Sequence, residues 1–191
     1  MKRERRAFRT GVAAGWDGQL GRLYFLDEFG SHLGLTRLYG RAQPGKRVVE
    51  ATPGYSGPHF TTVAALSLAG VCAPLVFEGA MNGLIFATYV QEQLGPCLRP
   101  GDVLVVDNLA AHRNGEARAE LAARGVQLVY LPPYSPDFNP IELCWSTVKQ
   151  ALRAAKARTF DALVDALGIA LRAVVPTQVS AWFKHCGYAL A

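Results

Sequence analysis

VLVVDNLAAH (residues 103–112) and, after a short polar segment, VQLVYLPPYSPDFNPIELCWSTVK (residues 126–149) are the stretch on which the fold of this chain turns. Val103 to Val106 is an apolar, largely β-branched run without alternation, the pattern of a strand buried on both faces of a sheet. Asp107 follows at once, and open α/β sheets place their active sites where strands emerge at their carboxyl ends. Thirty-four residues separate Asp107 from Glu142, which stands in the first turn of an expected helix. Both acids also have plainer readings. Asp-Asn after a strand makes a turn. Asn139-Pro140-Ile141-Glu142 is a good helix start, with Asn as N-cap, proline at the first position and Glu at the third.

Upstream, Arg22 to Leu26 reads as a strand that ends in Asp27-Glu28, another apolar run with acids at its exit. Successive strand side chains point to opposite faces, so only one of the two acids can face a given site, and composition leaves the choice open. Leu35–Arg41, Thr61–Leu68 and Val71–Phe77 are β-rich and separated by Gly and Pro, which predicts an antiparallel meander. Gln43–Pro58 is a loop, or a bent strand with loops, in which Lys46 and Arg47 are candidate DNA contacts or, more plainly, solvated loop charges. Ile85, Phe86, Tyr89, Val90 and Leu94 follow helical spacing within 83–98.

Downstream of Asp107, Asn108 and His112 are accessory candidates, and a helix runs from His112 to about Arg124, closed by Gly125. Val126–Leu131 is a further strand. The four prolines of LPPYSPDFNP stiffen the linker after it, which would hold Glu142 at a fixed place. Projected at 100° per residue, the helix from Pro140 to about Arg158 carries Ile141, Trp145, Val148 and Leu152 on one apolar stripe. Glu142, Lys149, Arg153 and Lys156 lie on a second line, an acid followed by a basic ladder. Such a ladder suits a phosphate track, though basic residues also favour helix C-terminal halves. Residues 159–191 form a helical extension packed on the core.

The 191 residues suit one domain with a substantial core. The net charge of +5 is concentrated at the start: MKRERRAFRT holds five of the 20 Lys and Arg residues and one of the 15 acids. Residues 1–21 thus read as a basic leader or linker remnant, either phosphate-binding or simply solvated. No secretory signal follows it, and the longest apolar region, Val63–Phe77, is too broken for a membrane span. Cys72, Cys97, Cys144 and Cys186 lack paired spacing, which predicts buried thiols in a reduced cytosol, with neither disulfides nor zinc.

The VVDN-x-x-x-H and LPPYSPDFNPIE-x-x-W segments at this separation resemble the catalytic core of DDE transposases of the Tc/mariner superfamily, within it the bacterial insertion-sequence-630 branch. The likeness runs from about Leu23 to Tyr188. It implies an α/β ribonuclease-H-like domain over residues 22–158, with a five-stranded mixed sheet in order 3-2-1-4-5 flanked by helices. It selects Asp27 over Glu28, since the first catalytic acid of the family stands in such an FLDE context. Asp27, Asp107 and Glu142 are then both catalytic residues and metal ligands, for two Mg²⁺ or Mn²⁺ ions. The implied partners are DNA (element ends and target) and a second copy or more of the chain in the DNA complex. Relatives place helix-turn-helix modules upstream and none fits in Met1–Arg22, so a separately encoded helix-turn-helix partner is a further expectation. No membrane partner is expected.

The implied activity is metal-dependent DNA cleavage and strand transfer in a nucleoid-associated bacterial protein. The alternatives are a remnant that only binds DNA or a partner, and another ribonuclease-H-like nuclease, such as one acting on RNA–DNA hybrids. The PPYSPDFNPIE string favours the transposase.

Overall fold

A computed structural model describes residues 2–16 and 18–188. The strands are β1 (Leu23–His32), β2 (His59–Ser67), β3 (Gly70–Glu78), β4 (Val103–Val106) and β5 (Gln127–Tyr130). They form one mixed sheet in the order β3-β2-β1-β4-β5. β1, β2 and β3 are an antiparallel meander, while β4 runs parallel to both β1 and β5. This is the expected topology, and β4 is buried at all four positions, as its unbroken apolar run requires.

The helices are α1 (Lys2–Ala7), α2 (Gly83–Tyr89), α3 (Gly115–Ala123), α4 (Pro140–Ala155), α5 (Phe160–Arg172) and α6 (Pro176–His185). Strand alternation sorts the core into two layers. Phe25, Phe29, Val103 and Val105 face the layer built with α4, α5 and α6, through Ile141, Trp145, Val148, Leu152, Leu163, Leu167, Val179 and Phe183. Leu26, Leu104 and Val106 face the other layer, with Phe86, Tyr89, Val90 and Leu94 of α2 and its continuation, and Leu121 of α3. The apolar stripe expected along α4 is buried throughout.

Several local expectations differ from the structure. β1 does not stop at Leu26; it continues to His32 because β2 pairs with it from Phe25 to His32. Asp27 therefore lies in mid-strand, level with the place where the shorter β4 ends. Leu35–Arg41 is not a strand. Residues 33–58 form one long irregular segment that no sheet edge pairs, so β-propensity there has no partner to act on. α4 ends at Ala155 rather than near Arg158, because Lys156 adopts a left-handed conformation (φ 53°). Asn139 occupies the N-cap position of α4, but its side chain makes no capping hydrogen bond. Among the four free cysteines only Cys144 and Cys186 are buried; Cys72 is half-buried and Cys97 is exposed.

The basic N-terminal segment is helical and docked. Phe8, Trp16 and Leu20 belong to the α4 layer, with the Phe8 ring stacked on Phe138 at 5.6 Å. Among the described residues no single helix is long and apolar enough to cross a membrane.

Trp145 is the largest fully buried side chain, and its ring meets Phe29 of β1 at 4.8 Å. Trp145→Ala should therefore cost about 3–5 kcal/mol, a large part of the roughly 5–15 kcal/mol typical of a domain. Denaturant unfolding of the two proteins measures it, and a loss below 1 kcal/mol would contradict this packing.

Candidate active site

Three acids from distant parts of the chain meet at the carboxyl end of β4. The pairing of β1 with β4 sets Phe25 opposite Val105, so two residues further on Asp27 comes level with Asp107. Neighbouring strands are about 4.8 Å apart. Asp27 shares the sheet face of Phe25 and Phe29, which is the face that α4 covers. Glu142, in the first turn of α4, comes in from above. Asp27, Asp107 and Glu142 line one cavity of about 400 Å³ together with Asn108, Asn139 and residues of the proline-rich linker.

The electrostatics of this cluster are those of crowded like charges. Asp27 is 9% exposed. Burial, then Glu142, Glu28 and Asp107, push its carboxyl up to about 8, against a small opposing effect of a backbone hydrogen bond. Asp107 is different. Burial works against its charge, but hydrogen bonds from His112 and from the Leu109 amide outweigh that and hold its pKa below the usual carboxylate value. The Leu109 N–H donates to Asp107 Oδ1 at 2.9 Å, the turn expected of Asp-Asn after a strand.

His112 is fully buried. Its Nδ1 lies 2.7 Å from Asp107 Oδ1, and its Nε2 lies 3.3 Å from Glu28 Oε2, an ion-pair contact without the alignment of a hydrogen bond. Burial opposes the imidazolium, but the acids on either side reverse the balance and hold its pKa up at about 9. Glu28 thus faces the α2 and α3 side of the sheet, away from Asp27. Asn108 lines the cavity, but its amide is engaged: it donates to the Leu131 carbonyl and accepts from Arg113 at 3.0 Å.

The linker that delivers Glu142 is held from several directions. Arg5 of α1 donates to both oxygens of Asp137, at 2.9 and 2.6 Å, and to Ser135 Oγ at 2.8 Å. Its guanidinium lies 4.5 Å from the Phe138 ring centroid. The Tyr188 hydroxyl donates to the Phe138 carbonyl at 2.7 Å. Arg5 is therefore a structural tie.

Glu142 also lines a second, wider groove of about 670 Å³ with Arg37, Tyr39, Lys149 and Arg153. Two members of the predicted basic ladder, Lys149 and Arg153, thus lead away from the acids. The third, Lys156, is paired with Glu50. Lys46 and Arg47 are exposed in the long segment and line neither the acid cavity nor this groove.

Sequence reasoning missed Arg37 and Asn139. Arg37 had no signal, because Leu35–Arg41 reads as a meander strand and nothing in it points to Glu142. Asn139 had one, a polar residue beside Glu142, but it was explained as a cap. In the structure Asn139 Oδ1 is buried without a hydrogen-bond partner and Asn139 is 3% exposed.

No three His, Cys, Asp or Glu side chains among the described residues are gathered tightly enough to enclose a metal ion. The cavity nevertheless fits one in an open arrangement. It offers hard oxygen donors only, a buried acid made costly by its neighbours, and the unpartnered oxygen of Asn139. That donor set suits Mg²⁺ or Mn²⁺, which leave coordination positions to a substrate.

None of the curated proteins matches the chain in sequence. Solved structures do match in fold. The Mos1 strand transfer complex superposes with a TM-score of 0.73 at 16% identity, over 97% of this chain and 57% of that one. The pre-cleavage Mos1 transpososome gives 0.74 at 14%, over 100% and 64%. The Mos1 transposase catalytic domain with Raltegravir and Mg gives 0.67 at 13%, over 96% and 90%. This chain therefore spans less than two thirds of the first two proteins and nearly all of the isolated catalytic domain, and it shares their ribonuclease-H-like fold. In sequence, residues 22–164 match the family described as DDE superfamily endonuclease. With most of its length in that match, and the three acids inside it, the chain belongs to the DDE superfamily endonucleases.

Proposed function

We propose that this chain is the catalytic domain of a DNA transposase of the Tc/mariner type, in the insertion-sequence-630 branch, which cuts and joins DNA strands with Asp27, Asp107 and Glu142. The observation that carries this is the convergence of the three acids in one cavity, with Asp27 buried among like charges. Mos1, which has the same fold, has been crystallised as paired-end complexes with Mg and with Mn. Asp27, Asp107 and Glu142 would hold two such ions, which supply activation of the attacking oxygen and stabilisation of the leaving one in an in-line phosphoryl displacement.

The chain's own residues do the rest. Asp27 lies in β1 and Asp107 directly follows the last residue of β4 beside it, so their spacing is set by the strand pairing. Glu142 is carried by a helix whose start is fixed by prolines and by the tie from α1 to the linker. Arg37, Lys149 and Arg153 meet the DNA backbone in the adjoining groove, and such contacts place a strand without reading its sequence. No protein nucleophile is required: water attacks in end cleavage, and the freed 3′-hydroxyl attacks in strand transfer. Base recognition comes from a helix-turn-helix module outside the described residues, which we propose is a separately encoded partner. Two or more copies act together on paired DNA ends.

Purified chain should nick supercoiled plasmid with Mg²⁺ or Mn²⁺ and not in EDTA, and Asp107→Asn should abolish nicking while leaving the circular dichroism spectrum unchanged. Metal-independent nicking, or full activity in Asp107→Asn, rules out the proposal. Preferential cutting of an RNA–DNA hybrid would instead favour a hybrid nuclease.

The crowding of Asp27 has a stability consequence. The unfolded chain releases this proton near its ordinary value of 3.8 and the folded chain only at about 8, so a raised carboxyl pKa costs the fold stability as pH climbs through that window. Without divalent ions, Asp27→Asn should melt above the wild type at pH 8.5, and the gap should close towards pH 4. Mg²⁺ should raise the wild-type melting temperature and leave the variant's unchanged. Equal metal-free melting at pH 8.5 would contradict the geometry.

For DNA binding, the slope of log K against log salt changes by about 0.9 per phosphate contact. Changing Arg37, Lys149 and Arg153 to Ala should flatten it by about 3 on random duplex DNA. An unchanged slope in a filter-binding salt series would place the DNA elsewhere.

A further inference from the structure

Glu28 has no part in the chemistry above, yet it is a carboxylate only 17% exposed, on the sheet face opposite Asp27. His112 connects it to the site. The residue is held at ring and backbone: Phe86 lies against the imidazole with ring centroids 4.7 Å apart, and the Tyr130 hydroxyl donates to the His112 backbone carbonyl at 2.9 Å. Glu28 stands at Nε2 and Asp107 at Nδ1. The two hydrogen bonds that Asp107 accepts among the described residues, from His112 Nδ1 and from the Leu109 amide, both fall on Oδ1. An oxygen that accepts two donors has little left for a cation, so Oδ2 is the atom that remains for the cavity.

We infer that Glu28 and His112 are positioning residues. Glu28 seats the His112 ring, His112 Nδ1 pins Asp107 Oδ1, and Asp107 thereby presents Oδ2 alone, already oriented, to a divalent ion. This rests on the metal-binding reading of the three acids and adds a line of side chains that runs through the sheet from one face to the other. Groups behind a metal ligand that fix its orientation typically change metal affinity by about 10–100-fold when lost.

The test is Mn²⁺ binding to the purified chain without DNA, read from the electron paramagnetic resonance of the free ion, so that turnover is not involved. His112→Asn places an amide nitrogen where Nδ1 was and keeps a donor for Asp107. His112→Gln reaches towards Glu28 instead. His112→Phe keeps the ring against Phe86 and donates nothing. Affinity should stay within about threefold of wild type in the Asn variant and fall about tenfold or more in the Gln and Phe variants. Glu28→Leu, which leaves the imidazole without its second acid, should also fall about tenfold, with metal-free melting curves showing which variants fold.

If Glu28→Leu does not fold, the His112 series decides. A packing role alone predicts the reverse order, with Phe nearest to wild type and Asn weakest, and that order overturns the inference. So does wild-type affinity in the Gln and Phe variants. Asp107→Asn separates this inference from the reading beneath it. If Asp107→Asn loses Mn²⁺ while His112→Phe and Glu28→Leu keep it, the positioning line falls and the acid site stands. If Asp107→Asn binds as well as wild type, both fall.

Discussion

Mutual repulsion among three carboxylates at the end of a parallel strand pair is the constraint around which this domain is arranged. Asp27 and Asp107 are brought level by the register of β1 and β4, and Glu142 is brought to the same cavity by α4. A fold that gathers like charges in a partly dry place must offset them or leave them protonated. The two aspartates are treated differently. Asp107 is stabilised by an internal cation, His112, and by a backbone amide. Asp27 faces no internal cation, only a backbone hydrogen bond that its burial and neighbouring acids outweigh, and it is driven up to about 8. A divalent ion would neutralise that charge, so the fold gives up stability at the place where such an ion would bind.

Rigidity elsewhere follows from the need to hold that arrangement. β4 is fully buried and packed on both faces, which fixes Asp107 from below. The Pro-rich linker is tied to α1 through Arg5 and to the C-terminal end through Tyr188, which fixes the start of α4 and so Glu142. The N-terminal helix and the last helices thus serve the acid cavity without touching it. Beside the cavity the surface changes sign, from carboxylates to Arg37, Lys149 and Arg153. Metal ions and a phosphate backbone would be met by adjoining surfaces that Glu142 joins.

Local pattern was enough for much of this. The unbroken apolar run at 103–106 marked a doubly buried strand, and Asp107 stood at its exit in the letters alone. Strand alternation alone sends Asp27 and Glu28 to opposite faces, although only the resemblance chooses between them. The 3.6-residue period of α4 set Ile141, Trp145, Val148 and Leu152 apart from Glu142, Lys149 and Arg153, and the structure places these two groups on different surfaces. Where β-propensity had no partner strand, as at Leu35–Arg41, the same kind of reasoning failed.

What tertiary structure decided is what depends on residues far apart in the chain. Arg5 reads as one charge among many in a basic leader, and only docking shows it bound to Asp137, 132 positions away. Lys156 reads as one rung of a ladder until Glu50 takes it. Asn139 reads as a helix cap, yet the cavity formed around it leaves its oxygen unpartnered. His112 reads as a helix-start residue, and nothing in its neighbours announces that the sheet will set Glu28 on one side of its ring and Asp107 on the other. Periodicity and turn chemistry act over a few residues, so the sequence by itself determined the elements and the acids they carry. Pairing across the sheet and the packing of α1 and α4 determined which charges meet, because those distances are set by the fold and leave no local trace.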